Sequence, residues 1–283
     1  MNLSGFSPNF GYFIVFIVIL YLFWSPYFGS KWYNYFLFFP IKSTDSYTVP
    51  KILGLTGEDI YFKSGNEKLH AWYYKNPQSN LIILLSHGNG GNILYRVGLI
   101  EMLLESGVSV FAYDYQGYGH SSGEISLQTA CLNGVSAYEY LTQHLNYSSD
   151  NIILYGESLG TGISTYISQK YNYKAIILQS GFSSLRKRST ETLPFLIFYP
   201  DFMWPDYSLD NLKILQKPHK PLLLIHGKLD NVVGFNHFEN LYEYSLPPKN
   251  ALVLEKTGHT NIYETAREQF INNVKNFINK LDK

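Results

Sequence analysis

Residues 151 to 165 read NIILYGESLGTGIST, and this stretch decides the architecture. Ile152 to Tyr155 is a continuous apolar run of strand length, and a helical segment follows from Gly160. Between them stands Gly156-Glu157-Ser158-Leu159-Gly160, a G-x-S-x-G sequence at a strand-to-helix turn. A turn that sharp strains the backbone of Ser158 and leaves no room for a Cβ at positions 156 and 160. It also presents the hydroxyl at a helix N-terminus, where developing negative charge is favoured. Ser158 is the candidate nucleophile.

Outward from this point, short aliphatic runs alternate with longer segments of helical period. That alternation predicts an α/β domain with a mostly parallel sheet and crossover helices. Ile60 to Lys63 and Lys68 to Lys75 read as an antiparallel hairpin turning at Gly65-Asn66. Central strands are expected at Leu81 to Ser86, Val108 to Asp114, Ile152 to Tyr155, Ala175 to Gln179, Leu222 to Ile225 and Leu252 to Leu254. Each is nearly all aliphatic, as burial on both faces requires. Helices are expected around 92–105, 126–145, 160–170, 236–245 and 262–280. In the last, Phe270, Val274, Phe277 and Ile278 form one apolar stripe.

A serine is a weak nucleophile until a base removes its proton, so a histidine and a carboxylate must stand in later loops. The strand at Leu222 leads to His226-Gly227-Lys228-Leu229-Asp230, and the strand at Leu252 leads to Thr257-Gly258-His259. Asp230 and His259 thus complete the chain order Ser, acid, His. His87 and His226, each in a His-Gly pair after a strand, read as loop-bracing rings. The oxyanion of an acyl intermediate needs two donors: the N–H of Leu159 and one from His87-Gly88-Asn89-Gly90-Gly91. Asn89 is the first choice for the second donor, Gly90 the alternative.

Composition narrows the function. The chain has 22 basic and 22 acidic residues, so no net field draws it to nucleic acid. The single cysteine, Cys131, excludes an intramolecular disulfide and any multi-thiolate metal site. No P-loop Lys-Ser/Thr follows the first glycine-rich loop, and Gly117 to Gly123 lacks G-x-G-x-x-G spacing. No metal or organic cofactor is expected.

The first forty residues have another character. Gly11 to Trp24 is uncharged and apolar, with Ser7 as a cap, Pro8 at the first helical position and Pro26 as a stop. Roughly 18 helical residues would rise about 27 Å, near the ~30 Å hydrocarbon core of a bilayer. A single-pass, uncleaved anchor is expected, since no basic residue precedes the run and no A-x-A-like site follows it. Lys31 and Lys42 lean toward a cytoplasmic catalytic domain. The aromatic Trp32 to Phe39 either lies at the membrane surface or docks on the domain. The expected organisation is residues 1–40 as anchor and interfacial segment, 41–57 as linker and 58–283 as catalytic domain, with a short cap at 180–206.

With His-Gly-Asn-Gly-Gly, Asp114-Tyr115-Gln116-Gly117-Tyr118-Gly119, Gly-Glu-Ser-Leu-Gly, His-Gly-Lys-Leu-Asp and Gly-His in order, the sequence resembles α/β-hydrolase fold proteins over residues 58 to 280. It is most similar in pattern to the membrane-anchored branch of ABHD-type depalmitoylating thioesterases and lysophospholipase-like enzymes. The resemblance implies triad roles for Ser158, Asp230 and His259, a structural loop at Asp114 and Tyr115, and a cap after Gln179. The cap is aromatic, and Phe195 and Phe198 are expected to line an acyl pocket, with contact to lipid or packing of the cap on its own domain as the alternatives. The implied activity is hydrolysis of an ester or thioester of an apolar acyl group, on a small-molecule, lipid or acylated-protein substrate. An aminopeptidase-like amide hydrolase and a catalytically silent membrane scaffold are the alternatives.

Overall fold

A computed structural model describes residues 8–43, 49–207 and 209–281. Ser7, the expected helix cap, lies outside the described residues. Eight strands form the central sheet: β1 (Glu58–Ser64), β2 (Glu67–Tyr74), β3 (Ile82–Ser86), β4 (Ser109–Tyr113), β5 (Ile152–Glu157), β6 (Ala175–Gln179), β7 (Leu222–Gly227) and β8 (Lys249–Leu254). Their spatial order is β1-β2-β4-β3-β5-β6-β7-β8, and β2 alone runs against the rest. The expected hairpin is present, with Gly65 at its turn in the left-handed region, φ 60°.

The strands are read correctly from their composition because the sheet is covered on both faces. Every residue of β3, β4, β5, β6 and β7 is buried. On one face lie α3 (Val97–Glu105) and α9 (Ile262–Asn279), whose Phe270, Val274, Phe277 and Ile278 form the predicted stripe. On the other lie α4 (Leu127–Gln143), α5 (Leu159–Ser168), α7 (Asn211–Leu215) and α8 (Phe235–Tyr244). Burying each such aliphatic or aromatic side chain contributes roughly 1.5–3 kcal/mol. Cys131 is one of the buried residues of α4, and burial pushes its thiol far above the ordinary range.

Parallel strands joined by right-handed crossovers bring their C-terminal ends to one edge. The turns after β3, β5, β6, β7 and β8 all open there. The cap, between β6 and β7, contains α6 (Leu185–Thr192) and the single turns Pro194–Phe198 and Asp201–Met203. Ser184 starts α6 by accepting the Lys187 N–H at 3.2 Å.

The N-terminus departs from expectation in two ways. Helix α1 spans Pro8–Phe23, 16 residues rather than 18, and leaves the helix at Trp24. At 1.5 Å per residue it is about 24 Å long, and no helix among the described residues is long and apolar enough to cross a membrane. Every residue from Phe10 to Tyr21 is nevertheless exposed. The second departure lies in the linker, because docking is the alternative taken by Trp32 to Phe39: most of that segment forms α2 (Ser30–Leu37) and packs on the domain with Tyr33 and Phe38 buried. Phe39–Pro40 then pairs in parallel with Gly90–Gly91, and Lys42 bridges to Gly119. The start of the expected linker is therefore bound to the domain, and its end, Lys51–Ile52 and Leu55–Thr56, is a small antiparallel ribbon. Residues 44–48 lie outside the described residues.

Candidate active site

Strand β5 passes directly into α5 through Ser158, whose backbone sits at φ 52° and ψ −114°. A non-glycine residue adopts such angles only where the surroundings hold it. Here the Ser158 N–H donates to Gln179 O at 2.9 Å, and Thr161 Oγ1 donates to Ser158 O at 2.6 Å. The flanking glycines are steric necessities: a Cβ on Gly160 would lie 1.9 Å from Ser86 O, and one on Gly156 would lie 2.5 Å from Gly160 O.

The three residues expected to act together are brought together. His259 Nε2 lies 3.0 Å from Ser158 Oγ, and its Nδ1 lies 2.7 Å from Asp230 Oδ2. The other carboxylate oxygen of Asp230 accepts the N–H groups of Val232 and Val233 at 2.9 and 2.8 Å. Burial alone would raise the Asp230 carboxyl. Hydrogen bonds from His226 and His259, the charge of His259 and the Val233 N–H outweigh burial and hold it far below the ordinary carboxylate range. His226 Nε2 lies 2.9 Å from Val233 O and 3.4 Å from Asp230 Oδ2. It braces the acid loop, as expected for a His-Gly pair.

Asn89 and Leu159 both line the cavity that contains Ser158. The loop carrying Asn89 is fixed from several sides. Asn89 O accepts from Phe39 N at 2.9 Å and from Tyr118 Oη at 2.6 Å, and Asn89 Nδ2 donates to Leu37 O at 2.8 Å. Tyr115 Oη reaches His87 O at 2.8 Å. Glu157, the variable residue before the nucleophile, accepts the Gly88 N–H at 3.2 Å and pairs with Arg96 Nε at 2.8 Å. Arg96 Nη1 donates to Gly90 O at 2.7 Å. One buried ion pair therefore holds the residues on both sides of Asn89. Burial would raise Glu157, but the charge and hydrogen bonds of Arg96 and the Gly88 N–H keep it low. Neither Arg96 nor Glu157 was singled out in the sequence. The signal available was an acidic residue beside a buried nucleophile, which requires a cation somewhere.

Other histidines form separate clusters. His70 Nε2 lies 2.6 Å from Asp59 and its Nδ1 3.5 Å from Asp114. His87 Nε2 stands 3.5 Å from the second Asp114 oxygen. His237 joins α8 to the cap, with Nδ1 2.9 Å from Ser183 Oγ and Nε2 2.8 Å from Glu191. Among the described residues no cluster of His, Cys, Asp and Glu is arranged to hold a metal ion.

The cavity at Ser158 has a volume of about 380 Å³. Its walls come from α2 and the residue after its cap (Tyr33, Phe36, Leu37, Phe39), from the cap (Phe182, Leu185, Leu193), and from Val232 and Val233. This corrects the expectation for Phe195 and Phe198, which do not line it. Phe195 faces Trp24 and Trp32 at 6.2 Å, and Phe198 is 75% exposed. The cap's aromatic turn is occupied with the base of α1: Tyr21 stacks on Tyr199 at 4.7 Å, and Tyr21 Oη donates to Phe198 O at 2.9 Å. Segment α2 takes the place at the cavity instead, with Tyr33 Oη 2.8 Å from Ser189 Oγ on α6. Burial pushes the Tyr33 hydroxyl up to about 12, so it stays protonated.

Known proteins resemble this chain over much of its length. A family profile described as serine aminopeptidase, S33 matches residues 77–216. Uncharacterized protein YfhR of Escherichia coli O157:H7 is 29% identical over 225 residues, 75% of this chain and 78% of that protein. Uncharacterized membrane protein YNL320W of Saccharomyces cerevisiae is 31% identical over 191 residues, 66% of this chain and 67% of that one. Alpha/beta hydrolase domain-containing protein 17C of Mus musculus is 32% identical over 210 residues, 71% of this chain but 61% of the mouse protein. Among solved structures, an esterase of Pyrococcus furiosus superposes with a TM-score of 0.70 at 22% identity, covering 86% of this chain and 98% of its own. At that identity the likeness concerns the fold.

Proposed function

This chain belongs to the α/β-hydrolase family, in its ABHD-type branch, and from that premise we propose that it is a serine hydrolase cleaving carboxylic esters or thioesters of apolar acyl groups. The observation that carries the proposal is the hydrogen-bonded row Ser158, His259, Asp230, opening on an apolar cavity. In this reading Ser158 Oγ attacks the acyl carbonyl while His259 Nε2 takes its proton. The carbonyl becomes an oxyanion held by the Leu159 N–H, at the positive end of α5, and by Asn89. His259 then returns the proton to the leaving alcohol or thiol, and Asp230 steadies the imidazolium. A water activated by the same histidine releases the acid. Amide cleavage at a free amino terminus is the less favoured reading. No carboxylate stands among the described residues of the cavity wall to meet an ammonium group.

The reading extends to location: α1 attaches the protein to a membrane. Its exposed apolar side chains support this, as does the name of the yeast relative. Lys31 and Lys42 favour a cytoplasmic catalytic domain. Protease protection of sealed vesicles distinguishes a spanning segment from one seated in a single leaflet. For the chemistry, the test is fluorophosphonate labelling together with p-nitrophenyl esters and acyl-thioesters of graded length. A protein that neither labels at Ser158 nor cleaves any of these substrates rules the proposal out.

A further inference from the structure

The chain has four arginines, and three are paired. Arg96 meets Glu157 at 2.8 Å, Arg186 meets Asp201, and Arg267 meets Glu101 at 3.1 Å as well as Glu105. The fourth, Arg188 on α6, makes no ion pair among the described residues. Its one side-chain hydrogen bond there is to Thr192 Oγ1, one turn further along the same helix. Glu191, the nearby carboxylate on that helix, is engaged with His237 at 2.8 Å. Arg188 nevertheless stands in the wall of the cavity at Ser158, among Phe36, Leu185, Leu193 and Val232.

A guanidinium always carries its charge, and its planar fork of donors matches the oxygens of a phosphate or carboxylate. Partly withdrawn from water into an apolar wall, it loses hydration that no carboxylate among the described residues restores. A ligand with an acyl chain and an anionic group would satisfy both surfaces together. The chain takes the aromatic and aliphatic wall, and the anion takes Arg188. We propose that the substrate is an anionic amphiphile, and that Arg188 is the residue selecting its charged group, a phosphate or a carboxylate. This rests on the reading of the cavity as the substrate site.

The test is a binding measurement independent of turnover. Full-length Ser158→Ala protein in uncharged detergent is titrated calorimetrically with decyl phosphate, decanol and inorganic phosphate. Decyl phosphate is expected to bind on the order of tenfold more tightly than decanol, as a charge-assisted hydrogen bond provides. Adding Arg188→Gln should erase that preference, and Arg188→Lys should keep part of it. Equal binding of the two amphiphiles, or a preference that survives Arg188→Gln in a variant of unchanged melting temperature, overturns the proposal. Inorganic phosphate binding as tightly as decyl phosphate also overturns it, by making the site one for a bare anion. None of these failures touches fluorophosphonate labelling of the wild-type protein, whose absence would instead remove the hydrolase reading.

Discussion

The backbone N–H of Phe39 donates to the carbonyl of Asn89 at 2.9 Å, so the segment that follows the apolar N-terminal helix is bonded to the loop beside the nucleophile. Ile41 N repeats the contact at Gly91 O, 3.1 Å away. Removal of the N-terminus should therefore act in two stages. Deleting residues 1–23 should move the protein from the membrane fraction to the soluble one while fluorophosphonate labelling persists. Deleting residues 1–40 also removes α2 and the pairing to Gly90–Gly91, and kcat should fall by about a hundredfold, the scale of one misplaced oxyanion donor. Equal activity of the two truncated proteins would show that the loop holds its own shape.

Arg96 and Glu157 offer a second test of the same loop. Arg96→Gln leaves a buried carboxylate unpaired, a loss of roughly 3–5 kcal/mol in stability. Glu157→Gln keeps an acceptor for the Gly88 N–H and should be milder. Both variants should lower kcat more than they change KM, because they displace a group that acts on the oxyanion. Thermal melting and steady-state kinetics on one ester check the order. Glu157→Gln proving the more destabilising would contradict the role assigned to the ion pair.

In the row itself, Ser158→Ala should lower kcat by about 10⁶ and abolish labelling, and Asp230→Asn should lower kcat by about 10⁴. His259→Ala should behave like the serine variant. His226→Ala, which removes a brace on Val233 and Asp230, should chiefly lower the melting temperature. A larger kcat loss for His226→Ala than for His259→Ala would reassign the base.

Acyl selectivity should follow the observed cavity and not the cap's aromatic turn. Each methylene buried contributes about 0.8 kcal/mol, close to fourfold in kcat/KM. A rise from acetyl to octanoyl esters is expected, flattened by Phe36→Ala and unaffected by Phe198→Ala. Activity restricted to acetyl esters would exclude an acyl-binding cavity.

Acid should loosen the link between α8 and the cap. Burial lowers the basicity of His237 despite its bond to Glu191, and Lys187 and Arg188 nearby act in the same direction as burial. The unfolded chain therefore takes up a proton at this site, below an ordinary value of about 6.5, that the folded chain refuses. Stability present above that value is lost as pH falls through it toward the lowered one. His70 works in the opposite sense. Burial lowers it, but Asp114 and Asp59 outweigh burial and raise it, so its contribution is full at low pH and is lost as pH rises through the raised value. The measurement is accordingly a difference. Melting temperature from pH 7.5 to 5.5 should fall less steeply in His237→Gln than in wild type, and parallel curves would exclude the effect.

The sheet, its helices and the row Ser158, Asp230, His259 were legible in the sequence because each depends on a local pattern. A strand buried on both faces must be aliphatic, and a tight turn after it must be glycine, serine, glycine. Parallel strands then deliver their ends to one edge, so the order of motifs along the chain already implies their meeting. Four things had no such pattern. Segment Trp32 to Phe39 reads equally well as lying on a membrane or docking on a domain, since both environments favour aromatic rings, and only packing against Ser189 and Asn89 decided it. The aromatic cap reads as well for an acyl-pocket wall as for a surface packed within the protein, and its rings meet Tyr21 of the N-terminal helix and Trp24 just past its end. The pairing of Arg96 with Glu157 joins residues 61 positions apart, and Arg188, which makes no ion pair among the described residues, stands out only once the other arginines are seen engaged. Periodicity reports which face of an element is apolar; which distant surface covers that face is settled by the competition among all of them in three dimensions.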